Sequence, residues 1–248
     1  MELKTNKISC VSEFVENVVK FEQRHVAQWF YRGHADSSYK LVPSLFRIQD
    51  KESFSTWEAA EEYLINSFKC EATPYLVNPP GNDLEWLALA QHHGLPTRLL
   101  DWTSNPLIGL YFAVEAFPDR DAELWCLGFP STNNCLAEST YFARKVEMKK
   151  VGFIYFPKHL SPRVTNQSGC FTVHESPVPL NEDENWREFL AFTRIDISSA
   201  RKGIILDELY NLGIHRGLIY PGLDGIAKKL VYEMTARNLR NTNEPELF

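Results

Sequence analysis

The sequence predicts an α+β fold with a mixed, mainly antiparallel sheet at its core. Two patterns point there: helical periodicities gather in the N-terminal half, and strand-like runs gather in the second half. A third observation is composition. Of 248 residues, 44% are hydrophobic and 13% aromatic, enough bulky material for a packed core or ring-lined pockets. One domain over 1–248 is expected, with no internal repeat or low-complexity tract.

The elements follow in order. Val11 to Phe21 carries apolar side chains at 11, 14, 15, 18 and 19, which is helical spacing. Ala27 to Arg32 is short and aromatic and predicts a strand ending in Gly33-His34. Trp57 to Phe68 and Asp83 to His93 predict helices, the second capped by Asp83 and stopped by Gly94-Leu95-Pro96. Thr97 to Trp102 predicts a strand. Asn105 then caps a helix with Pro106 in its first turn, running to about Ala116. That helix is apolar nearly all round, so it should be buried. Further strands are expected at Glu123 to Phe129, Gly152 to Phe156, Gly169 to His174, Phe189 to Ile197 and Gly217 to Tyr220. Gly203 to Leu212 and Ile226 to Met234 have helical patterns. Asn78 to Asn82, Pro130 to Ala137 and Ser176 to Glu184 are expected loops.

Charge and cysteine content exclude several classes. A net charge of −6 argues against a protein built on non-specific nucleic-acid binding, though not against a small basic groove. The longest nearly apolar run, Leu107 to Ala116, is about half of what a bilayer requires. The five cysteines are scattered, odd in number and without CxxC spacing, which predicts free thiols, no structural metal and a cytosolic protein.

Four segments place reactive side chains among apolar ones. In Phe30 to His34, Arg32 ends an aromatic strand. Its forked donors suit a phosphate or carboxylate ligand, or a structural carboxylate partner. Gly33 would let a ligand approach the backbone. The segment Gln91 to Pro106 packs Gln91, His92, His93, Thr97, Arg98, Asp101, Trp102, Thr103 and Ser104 between two apolar helices. It fits either a pocket wall or a buried hydrogen-bond network, with Asp101 pairing with Arg98 or Arg32. His92 and His93 point about 100° apart on a helix and do not suit one metal ion. Ser104 stands on no GxSxG elbow. In Pro162 to Thr172 a polar turn runs into a strand, and Cys170 reads more simply as core than as a nucleophile. In Tyr220 to Gly225, Asp224 reads as the cap of the last helix.

These segments together resemble the FRG domain family, named for a (Phe/Tyr)-Arg-Gly motif matched by Tyr31-Arg32-Gly33. The family's Gln-His-x-Gly-x-Pro-Thr-Arg-Leu-Leu-Asp-Trp-Thr motif is matched from Gln91 to Thr103. Shorter matches fall at Gln167, Gly169, Phe171 and Thr172, and at Pro221 to Gly225, so the resemblance spans about residues 27 to 235. A more distant similarity is to ADP-ribosyltransferases of the arginine–serine–glutamate branch. It implies a split sheet, NAD as substrate, and transfer of ADP-ribose to a nucleic acid or protein, as by a toxin or anti-phage effector. It implies Arg32, Ser104, Gln167 and Asp101 nearest the chemistry. The NAD pocket would draw on Tyr31, Gly33, His34, His92, His93 and Thr97, and on Arg98, Trp102, Thr103 and Asp224. Phe112 is a further ring that could stack. The departure is that no Glu stands where the catalytic one is expected; Gln167 is nearest, and Glu175 lies at the far end of its strand. Two other functions remain open: a non-catalytic module for a phosphorylated ligand or nucleic acid, and a hydrolase or nuclease using His92, His93 and Asp101.

Overall fold

Eight strands frame the structure, a computed structural model that describes residues 4–22, 26, 28–49, 54–129, 135–136, 154–157, 162–187 and 191–241. The strands are β1 (Lys4–Ile8), β2 (Gln28–His34), β3 (Leu99–Thr103), β4 (Ala122–Phe129), β5 (Cys135–Leu136), β6 (Ile154–Tyr155), β7 (Gly169–Val173) and β8 (Ala191–Ile197). They form one mixed sheet in the order β1-β8-β4-β2-β3-β7-β6-β5. β1 runs parallel to β8 and β5 parallel to β6; the other neighbours are antiparallel. The helices are α1 (Val11–Glu22), α2 (Trp57–Ala72), α3 (Asp83–His92), α4 (Pro106–Val114), α5 (Pro162–Asn166), α6 (Glu184–Arg187), α7 (Ser199–Asn211), α8 (Arg216–Ile219) and α9 (Leu223–Asn241). The fold is α+β. Helix is spread along the chain rather than held in its first half, and the 19-residue α9 comes last. No helix among the described residues is long and apolar enough to cross a membrane.

The predicted elements appear with local differences. The strand expected from Ala27 runs Gln28–His34, Ala27 lying outside the described residues. The same holds for Gly152 and Phe153 before β6, for Phe189 and Leu190 before β8, and for most of the Pro130 to Ala137 loop. The cap of α3 is Asn82, not Asp83: the Glu85 amide donates to Asn82 Oδ1 at 3.0 Å. Asn105 caps α4 as expected, accepting from the Leu107 amide at 3.0 Å.

Four assignments differ outright. The run Gly217 to Tyr220 belongs mostly to helix α8, not a strand. His215 caps it, accepting from the Leu218 amide at 3.1 Å. Asn166 and Gln167 donate to its Leu218 and Ile219 carbonyls at 2.9 and 3.1 Å. Four apolar residues do not distinguish helix from strand, so these tertiary bonds decided. The expected turn after Pro162 is α5, and α7 begins at Ser199, ahead of Gly203. Asp224 lies exposed inside the first turn of α9, beyond the cap position, where it still favours the positive end of the dipole. Polar β1 was not expected; it is held by backbone pairing to β8.

The sheet is covered on both faces. Leu124 and Cys126 of β4 join Phe14, Leu110 and Ile205 from the helices. Trp125 and Leu127, pointing the other way, join Phe30, Leu41 and Trp186. Hence all eight residues of β4 are buried. Buried α4 presses on β2 through two glycines. A Cβ on Gly33 would stand 2.3 Å from the Ala113 nitrogen and 2.4 Å from the Gly109 oxygen. One on Gly109 would stand 2.5 Å from Tyr31 Cβ. Only hydrogen at both positions lets helix and strand backbones touch.

Candidate ligand-binding cleft

The seam between β2 and β3 is where the packing leaves room. These strands pair at one position, Tyr31 with Thr103. By contrast β2 pairs with β4 at seven positions, and β3 with β7 at five. Past Tyr31 the two strands part. Arg32 spans the gap, its Nη1 donating to the Asp101 carbonyl at 2.7 Å, in place of the backbone ladder. A cavity of about 420 Å³ opens here, a size that suits a small-molecule ligand.

A relay of side chains fixes the Arg32 side of the cleft. The Thr97 hydroxyl donates to Gln91 Oε1. Gln91 Nε2 donates to Asp101 Oδ1 at 2.8 Å. Asp101 Oδ2 lies 3.5 Å from Arg32 Nη1. Arg32 Nε in turn donates to His34 Nε2 at 3.3 Å, which leaves the His34 proton on Nδ1. Burial, reinforced by the charges of Arg32 and Arg47, pushes the His34 pKa down to about 3. Burial also lowers the Arg32 pKa, with Asp101 opposing and Arg47 adding to the drop. A guanidinium starts so high that it stays charged.

Trp102 forms a wall whose plane is set from behind. Its Nε1 donates to Thr172 Oγ1 at 3.0 Å, and that hydroxyl lies 2.8 Å from His174 Nε2. His174 stacks on Trp186 with centroids 5.4 Å apart, and burial pushes its pKa down to about 3. A neutral His174 can accept the Thr172 proton, so the chain runs from indole to hydroxyl to imidazole.

At the other end stands Glu115, at the C-terminal cap of α4, with a side chain 14% exposed. It accepts from the Tyr220 hydroxyl at 2.7 Å and from Arg216 Nη1 at 3.3 Å. Burial raises its pKa, and those two partners oppose the rise. Arg163 and Arg216 both pack on the Tyr220 ring, at 4.8 and 4.7 Å from its centroid. Glu115 also lines a second cavity, of about 340 Å³, shared with Tyr111, Tyr210 and Lys229.

The cleft brings together Tyr31, Arg32, Gly33, His34, His92, Asp101, Trp102, Thr103 and Gln167. Five other candidates lie outside its lining. Ser104 is exposed, with its amide bonded to the Ser168 carbonyl at 3.1 Å. His93 is exposed at the end of α3, its ring at 89° to that of His92. Thr97 is buried at the start of the relay. Buried Arg98 pairs with Glu61 and, at 3.0 Å, with Glu175, tying α2 to β3 and the end of β7. Asp224 is exposed on α9. Gly33 faces the cleft, but the space of its missing Cβ belongs to α4 rather than to a ligand. Gln167 is partly committed, its Nε2 donating to the Ile219 carbonyl at 3.1 Å. Among the described residues, no group of three or more His, Cys, Asp or Glu could hold a metal ion.

Sequence reasoning missed Glu115, Arg163 and Tyr39. Glu115 had a usable signal. It is a carboxylate directly after a wholly apolar helix, at the end where the helix dipole disfavours negative charge. Arg163 lay in the singled-out segment Pro162 to Thr172 without being picked from it, and Tyr39 had no signal, because only tertiary structure carries it to the seam.

Residues 27–122 match the family model of the FRG domain. That segment runs from β2 through α4 and contains Arg32, the Gln91 to Thr103 relay and Glu115. The matches expected at Gln167 to Thr172 and at Pro221 to Gly225 lie beyond it. No curated protein and no solved structure matches the chain.

Proposed function

We propose that the cleft binds NAD and that the chain transfers ADP-ribose from it to a nucleic acid or protein. The observation that carries this reading is the parted seam, with a forked cation on one side and a largely shielded carboxylate at the other end. NAD needs an anion grip, flat walls and negative charge near the ribose. Arg32 and Arg163 provide the first, Trp102, Tyr39, Phe112 and His92 the second. In the reaction the bond from ribose C1′ to the nicotinamide nitrogen breaks, and its electron pair leaves with nicotinamide. The acceptor's nucleophile bonds to C1′ and releases its proton to solvent. Positive charge builds on the ribose meanwhile, and a fixed carboxylate in a water-poor site stabilises it. Glu115 takes that role here, because Gln167 carries no charge and Asp101 is engaged by Gln91 and Arg32. Cys10, Cys70, Cys126 and Cys170 form no disulfide among the described residues, which is compatible with an effector acting in a reducing cytoplasm.

The test is calorimetric titration with NAD beside an assay of nicotinamide release. Wild type should bind. Arg32→Ala should bind at least about tenfold more weakly, the worth of one charged hydrogen bond. Glu115→Gln should bind as wild type does but release nicotinamide about 100-fold more slowly. Failure of wild type to bind NAD would overturn the reading. One observation favours a non-catalytic binding module instead: Tyr220 and Arg216 already engage the Glu115 oxygens. Tight NAD binding without any nicotinamide release would establish that alternative.

A further inference from the structure

The cleft does not end at Arg32. A third cavity, about 460 Å³, continues from it and shares Arg32, His34 and Tyr39 with it. Its remaining lining includes Lys40, Arg47, Ser38, Pro177 and Pro179. Two features set this annex apart. It presents three cations, Arg32, Lys40 and Arg47, and no carboxylate lines it. Among the described residues the side chains of Lys40 and Arg47 have no ion-pair or hydrogen-bond partner, and both are exposed. Arg47 meets Arg32 again across a smaller hollow of about 210 Å³, so the two guanidinium groups flank common space twice. Asp101 lines that hollow and compensates Arg32, which leaves Lys40 and Arg47 as the cations that a bound anion would serve. The charge of Arg47 reaches both groups, adding a smaller push to the lowering that burial causes in Arg32 and His34, while Asp101 opposes it at Arg32.

We infer that this annex is a phosphate site, in which Arg47 and Lys40 take a terminal phosphomonoester of the ligand held by Arg32. The inference rests on the nucleotide reading of the cleft for its first anchor, and it specifies the substrate: a dinucleotide bearing an extra phosphate, such as NADP, over NAD. A dianion suits a hollow lined by three cations and a serine hydroxyl better than a single-charged phosphodiester does.

The experiment measures binding of NADP, NAD, inorganic pyrophosphate and a short single-stranded DNA to wild type, Arg47→Ala and Lys40→Ala. Arg47 is exposed and unpaired among described residues, so its variant should fold; thermal melts check this. NADP should bind wild type at least about tenfold more tightly than NAD, and Arg47→Ala should remove that difference while leaving NAD unchanged. Equal binding of the two dinucleotides by wild type would overturn the inference, as would equal weakening of both by Arg47→Ala. If neither dinucleotide binds, the NAD reading of the cleft fails, and pyrophosphate decides the annex alone. Pyrophosphate binding lost in Arg47→Ala sustains it, and no pyrophosphate binding overturns it. DNA binding tighter than pyrophosphate and lost in both variants would also overturn it.

Discussion

His34 and His174 couple the cleft to stability. Each is 3% exposed, and each has a pKa near 3 in the folded chain against an ordinary value of 6.5. Between those values the unfolded chain binds two protons that the folded chain refuses. The stability they contribute is therefore full above pH 6.5 and lost as pH falls toward 3. Each should steepen the decline by about 1.4 kcal/mol per pH unit. Denaturant melts from pH 7 to pH 4.5 should show this slope, and His174→Gln should remove about half of it. An unchanged slope in that variant would show that His174 titrates normally. The Arg32 and Glu115 variants described above belong to this scale too. Among single residues, the sequence made Arg32 legible as a charge in an aromatic strand, and Asp101 as part of the dense polar segment from Gln91 to Pro106. Arg98 was equally conspicuous yet serves as a strut to Glu61 and Glu175, and only the position of α2 reveals that.

The contact of β2 with α4 governs the shape of the cleft. Gly33 and Gly109 set how closely the two backbones lie, and both elements supply cleft residues. Gly33→Ala must push backbone against backbone, an overpacking that should cost about 3 kcal/mol. Urea unfolding should report that loss, and ligand affinity should fall with it because Arg32 moves with the strand. A variant as stable as wild type would mean the contact yields easily. Element identity was legible wherever a cap or a long period marked it: Asn105-Pro106 before α4, the spacing of α1, the apolar runs of β4 and β8. It failed where neighbours supply the cap, as at α8, and where backbone pairing alone holds a polar strand, as at β1. The faces of helices were only partly legible. On α9, Leu223, Ile226, Leu230 and Met234 recur at helical spacing yet stand exposed, because periodicity shows that a stripe exists and not what lies against it.

At the scale of the molecule, a net charge of −6 coexists with a cleft and annex that gather Arg32, Arg47, Lys40 and Arg163. The local field should draw anions inward, so the rate of ligand association should fall as salt rises. Stopped-flow binding at two ionic strengths checks this, and a salt-independent rate would place the ligand elsewhere. Fold class was legible from the mixture of periods, and the FRG segment from one long motif. The strand order was not, since nothing local says that β2 and β3 meet at a single pair. That single pair has a consequence for how the sheet breathes. In most sheets the central strands shield their amides longest and the margins exchange first. Here the middle is the loose joint. The backbone amides of Gly33 and Asp101, which face the seam, should swap hydrogen for deuterium well before those of β4 and β8. A bound ligand should slow them more than any others in the chain.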